Sequence, residues 1–251
     1  MRPTRIREFK MKKYIYKLVI LALTIGIFTN CKPNTSILPI KGNGNLTTSQ
    51  QSVSSFEKIS IYSSADVHFY ESDEFRYVVT VDENLHKYVE IFTENNTLKI
   101  KTKNGSYLFT KFLVEVYCPP SLKSVSLSGS GNFKGMNIIT APMFEVIIPG
   151  SGNMEGTVEC QNFSAKILGS GEINIKGNCI DANITISGSG DFNGYDFSIK
   201  NADISISGSG NANVWVTDNL NANISGSGNV NYRGEPQISS TITGSGKIRK
   251  M

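Results

Sequence analysis

From Ser126 onward, apolar and polar residues alternate with a period of two, and the alternation restarts at one triplet, Gly-Ser-Gly. The triplet begins at Gly129, Gly150, Gly169, Gly188, Gly208, Gly226 and Gly244, at spacings of 21, 19, 19, 20, 18 and 18. Copies at a near-constant period mark one supersecondary unit used over and over. Two residues before the first Gly stand Leu127, Ile148, Ile167, Ile186, Ile206, Ile224 and Ile242, apolar in every copy. Four before it stand Val125, Val146, Ala165, Ile184, Ile204, Ala222 and Ser240, and the position between these columns is mostly polar. Each copy therefore predicts a half-buried strand. Four residues after the first Gly runs a second large apolar column: Phe133, Met154, Ile173, Phe192, Ala212, Val230 and Ile248.

Strands that repeat in one direction must be parallel. The pattern predicts an all-β fold, a single parallel β-helix (solenoid), wound right-handed by the general preference of parallel crossovers. An antiparallel sandwich turning at the triplets is the competing fold. Its successive strands would reverse, and nothing would keep one motif at one corner. Each fully buried residue of the innermost column is worth roughly 1.5–3 kcal/mol, so stacked copies make a core that one copy could not.

The pattern is broken ahead of the repeat. Residues 56–123 hold strand-like runs such as "FEKISI", "DVHFY", "YVVTV", "YVEIF" and "TLKIK", with "ENN" and "KNGS" as turns. They predict a β-rich cap or a set of irregular rungs, before regular rungs over 124–251. An open solenoid end exposes unpaired strands and needs such cover. Residues 31–55 are polar and read as a flexible tether. Residues 1–30 join basic side chains to an apolar run, "LVILALTIGIF", too short for a spanning helix, and read as an export signal. The run ends at "FTNC", which predicts a lipoprotein-type cleavage site with Cys31 as the lipidated residue. Met11 offers a second start for this leader.

Charge follows the same division. Residues 1–30 carry seven Lys or Arg and one acid, which leaves 18 basic and 20 acidic residues in the rest. A mildly acidic body lacks the basic footprint that nucleic acid requires.

The repeated motif points to scaffold more than to chemistry. A serine nucleophile needs a base in reach, and both histidines, His68 and His86, lie outside the repeat. After the triplets come Asn132, Asn153, Glu172, Asp191, Asn211, Asn229 and Lys247. Two acids in seven corners fit a ladder of hydrogen-bonded amides better than a calcium site. Other acids, such as Glu155, Asp181 and Asp196, are scattered, with no recognisable catalytic pair. No metal, cofactor or catalytic residue is assigned. Cys160 and Cys179 each lie nine residues before the next triplet, so stacking makes them vertical neighbours, either a disulfide or two apolar thiols. Trp215 and Tyr232 are candidates for exposed binding aromatics, or for core and edge packing.

The Gly-Ser-Gly corners, "YCPPSLKSVSLSGSGNF" and the opening "FEKISIYSSADVHFY" together resemble the auto-transporter adhesin, head GIN domain family of bacterial cell-envelope proteins, common in Bacteroidetes. The likeness spans about Phe56 to Lys247. It implies a β-helical solenoid over 56–251, without lyase-type catalytic residues, and a role in adhesion. Taken together, these readings describe an exported, non-enzymatic protein anchored to the outer membrane by lipid, on its surface or periplasmic face, binding protein or glycan. A carbohydrate-active enzyme on the same scaffold and a purely structural envelope protein are the alternatives. No oligomeric state follows.

Overall fold

The computed structural model describes residues 38–251. The predicted signal segment and Cys31 lie outside the described residues. Nine strands precede the regular repeat: β1 (Ile40–Lys41), β2 (Leu46–Ser52), β3 (Lys58–Ile61), β4 (Asp66–Glu71), β5 (Arg76–Asp82), β6 (Val89–Glu94), β7 (Thr97–Thr102), β8 (Tyr107–Leu108) and β9 (Phe112–Cys118). Nine follow: β10 (Ser124–Leu127), β11 (Phe133–Ile148), β12 (Met154–Ile167), β13 (Ile173–Ile186), β14 (Phe192–Ile206), β15 (Ala212–Ile224), β16 (Val230–Arg233), β17 (Gln237–Ile242) and β18 (Ile248–Lys250). From β10 to β18 every pairing is parallel, each strand lying on its predecessor of the previous turn. The fold is a parallel β-solenoid.

Register follows the apolar columns. Ile167 pairs with Ile186, Ile186 with Ile206, and Ile206 with Ile224. Leu127 through Ile224 in this column are buried, as are Phe133 through Val230 in the second. Ile242 is 42 % exposed because β17 pairs only with β15 and no described strand covers it. Ile180 also faces outward, since the inward position there belongs to Cys179, in register with Ile199.

At the corners the backbones of successive turns lie directly on one another. Ser189 N–H donates to the Gly169 carbonyl at 3.1 Å, and Ser209 N–H to that of Gly188 at 3.1 Å. A Cβ on Gly188 would fall 1.9 Å from the Gly169 oxygen, and one on Gly190 1.9 Å from the Gly171 oxygen. Both glycines are required for this close approach, not for a left-handed conformation.

The first part of the chain is both rung and cap. β3 lies parallel between β10 and β7, and β4 parallel between β11 and β9, so the stack continues two layers past the regular repeat. β5, β6 and β2 then pair antiparallel and end it. The β6–β7 hairpin turns at Asn95 and Asn96, with φ of 50° and 59°.

The tether reading of residues 31–55 needs correction over its described part, from residue 38 on. β2 pairs with β5 along seven residues, from Leu46 opposite Asp82 to Ser52 opposite Arg76. Its side chains, all exposed and polar apart from Leu46, hid it, because the pairing works through the backbone. Ahead of it, Asp82 holds the chain down, accepting from the Gly44 N–H at 2.9 Å and the Thr110 N–H at 2.7 Å. Burial opposes its ionisation, yet these hydrogen bonds prevail and keep the carboxyl below its usual range.

Candidate binding groove

The outward residues just beyond the Gly-Ser-Gly corners form two columns. In the first, Asn153 Nδ2 donates to Asn132 Oδ1 at 3.1 Å, Asn211 to Asp191 at 2.9 Å and Asn229 to Asn211 at 2.9 Å. This is the amide ladder expected from the sequence. Among the described residues, no group of three or more His, Cys, Asp or Glu is placed to hold a metal ion. The second column, two residues further on, is Lys134, Glu155, Asn174, Asn193, Asn213 and Asn231. Here Asn193 donates to Asn174 at 3.1 Å, Asn213 to Asn193 at 2.6 Å and Asn231 to Asn213 at 2.8 Å. Lys134 reaches Glu155 at 3.1 Å.

An asparagine side chain offers two N–H donors and two acceptor sites. Asn193 spends both donors, on Asn174 and Glu172, whereas Asn174 spends neither and Asn213 and Asn231 spend one each. The ladder thus holds the amides in a row along the stack and leaves donors unused on Asn174, Asn213 and Asn231, with none left on Asn193 between them.

An open cleft of about 620 Å³ lies over this column, lined by residues that include Glu155, Thr157, Asn174, Lys176, Asn193, Tyr195 and Asp196. A second cleft of about 360 Å³ shares Glu155 and Asn174 with it and reaches Lys134, His68 and Asp66. The two form one groove running along the stack. Tyr195 stands at its far end, its hydroxyl donating to Asn213 Oδ1 at 3.3 Å. The Arg233 guanidinium sits 4.3 Å from the Tyr195 ring centroid. Trp215, 40 % exposed, pairs in register with Arg233.

The candidate aromatics separate here. Trp215 faces solvent beside the groove. Tyr232 pairs with the buried Val214 and packs against the core. Tyr195 escaped the sequence reading, although it stands in the same repeat column as Trp215 and Arg233, seven residues past the first Gly. Aligning that outward column would have found all three.

Of the acids lining the groove, Asp66 accepts from Asn132 Nδ2 at 2.8 Å and the other two face lysines. Glu155 faces Lys134, and Asp196 faces Lys176 at 3.8 Å. A glycosidase acid needs a carboxyl kept protonated by apolar surroundings, and neither environment resembles that.

Cys160 and Cys179 are in register, as the spacing predicted, and are free thiols in this structure. Their shared hydrogen bond, then burial, pushes the Cys179 thiol up. Cys118 is buried apart, its thiol pushed up to about 12 by desolvation.

A family model described as "Putative auto-transporter adhesin, head GIN domain" matches residues 55–236. The chain belongs to this family. Two solved structures show how the head GIN domain recurs. One, a "Putative lipid binding protein" from Parabacteroides distasonis, is 33 % identical at a TM-score of 0.73, covering 85 % of this chain and 99 % of its own. Another, a "putative adhesin" from Parabacteroides merdae, is 28 % identical at a TM-score of 0.67, covering 84 % of this chain and 98 % of its own. A "putative adhesin" from Bacteroides fragilis, 21 % identical at a TM-score of 0.78, covers 84 % and 100 % and shares the fold. No curated protein matches the chain.

Proposed function

We propose that this head GIN domain is a non-enzymatic, lipid-anchored binding protein of the cell envelope whose groove takes a glycan. The observation that carries the reading is the rigid asparagine ladder flanked by Tyr195, Arg233 and Trp215. Sugar hydroxyls both donate and accept, and their ring faces stack on aromatic side chains. The ladder supplies fixed amides, and the aromatic end supplies a flat apolar surface. Descriptions of its relatives as adhesins agree with a binding role. Anchoring through Cys31 rests on "FTNC" after the apolar run.

The test is retention on immobilised polysaccharides, with xylan, β-glucan and chitin as probes. Tyr195→Ala and Arg233→Ala should each weaken retention about tenfold. Equal retention of parent and variants would remove the groove from the function. Release of shortened sugars, lost in Glu155→Gln, would establish an enzyme instead. Metabolic labelling with palmitate, abolished by Cys31→Ala, checks the anchor.

A further inference from the structure

The clefts reach His68 on the cap side. Two residues further along the same strand, Tyr70 stacks on Tyr117 with ring centroids 5.0 Å apart and planes 13° from parallel. The Arg76 guanidinium lies 3.5 Å from the Tyr117 centroid and pairs with Glu74 at 3.5 Å. Burial, then the nearby Glu115 carboxylate, holds the Tyr70 hydroxyl above its ordinary range, so it stays a donor.

Register puts this cluster in line with the first. Lys134 pairs with His68 and Gly135 with Phe69, so Tyr70 continues the outward column beside the groove. Tyr70 pairs with Tyr117 on the next strand out. From β4 through β11, β12 and β13 to β14, four strand spacings separate Tyr70 from Tyr195, about 19 Å. An aromatic–arginine pair thus stands at each end of one polar groove.

We infer that the ligand is a linear, neutral polysaccharide lying along the solenoid axis and held at both ends, with Tyr70, Tyr117 and Arg76 forming a second subsite. This rests on the glycan reading of the groove. One sugar of an extended chain is close in length to one strand spacing, so its rings can meet the ladder turn by turn. Three cations on this face are paired with carboxylates, Lys134 with Glu155, Lys176 with Asp196 and Arg76 with Glu74, while Arg233 lies over the Tyr195 ring, an arrangement that disfavours a ligand held by ion pairs. The strands beneath are paired to neighbours on both sides, so a peptide would find no free backbone edge to extend.

Calorimetric titration with neutral β-linked oligosaccharides of the xylo, cello and N-acetylchito series tests this. Affinity should climb about tenfold or more once a chain is long enough to reach both ends, because the second contact becomes intramolecular. In Tyr117→Ala, the hexasaccharide should fall to the affinity of the trisaccharide. Arg76→Ala, which leaves both rings in place, should reduce the same gain, and unchanged melting curves would show that both variants fold. Affinity that does not depend on length, or a Tyr117→Ala variant that keeps the gain, overturns the second subsite while the Tyr195 groove stands. Failure of every series to bind overturns both readings, as does binding of a peptide along this face.

Discussion

The regular turns and the cap solve one problem with opposite means. In the turns, one rule applies at every level: an aliphatic column inward, a glycine corner and an amide ladder outward. In the cap, each contact is made once. Phe56 meets Phe75 edge-on at 5.3 Å, Phe109 packs tilted against Phe112 at 4.5 Å, and the buried Asp82 ties down the arm around Gly44. Repetition makes the turns tolerant of exchange between copies but intolerant of any change that breaks stacking. The cap should yield piece by piece.

The sharpest way to break this contrast is at a corner. Gly190→Val should prevent or drastically destabilise folding, since its Cβ would collide with the Gly171 oxygen and with Ile167 Cγ2, 2.7 Å away. Soluble protein with parental melting would refute the corner geometry. Ile186→Asp comes next, burying an unpaired carboxylate in the core column at a cost of several kcal/mol, read as a steep fall in melting temperature.

Asp82→Ala should act locally. Limited proteolysis should cut near Gly42–Asn45 while the regular turns stay protected. Because the folded Asp82 carboxyl ionises below its unfolded range, it adds stability above that range, and this stability disappears as the pH falls through the folded value. The parent should therefore lose protection of the arm on acidification. The Ala variant, already unprotected, should show no such change.

Asn213→Ala should cost about 1 kcal/mol, seen as a small melting shift. The mildest probe is alkylation at pH 8. Cys118, with its thiol near 12, should resist until the protein unfolds, whereas the half-buried Cys160 should label first. If Cys160 and Cys179 in exported protein label only after reduction, they form the disulfide that their register permits.

The regular turns were legible because their signal repeats. Leu127 to Ile224 announce a column by recurrence, and the corner residues announce an amide ladder in the same way. β2 was not legible, because in "LTTSQQS" only Leu46 is apolar and none of the seven side chains is buried, and strand pairing of that kind leaves little trace in hydrophobicity. The groove was half legible. Trp215 stood out as the single tryptophan, but Tyr195 and Arg233 become a site only when outward positions are aligned as carefully as inward ones. Tyr70 and Tyr117 lie far apart in sequence, and only the β4–β9 pairing joins them.

The stacked glycine corners also bear on how such a chain can change over generations. A point substitution at a corner is blocked by the carbonyl of the turn beneath it. Removing or duplicating a whole turn, however, brings one Gly-Ser-Gly corner onto another and keeps the glycine contacts matched. Copy number is therefore the free variable, and each turn gained or lost moves the two ends of the groove apart or together by one step. A lineage could retune the length of chain it grips by unequal recombination alone, with no new side chain invented.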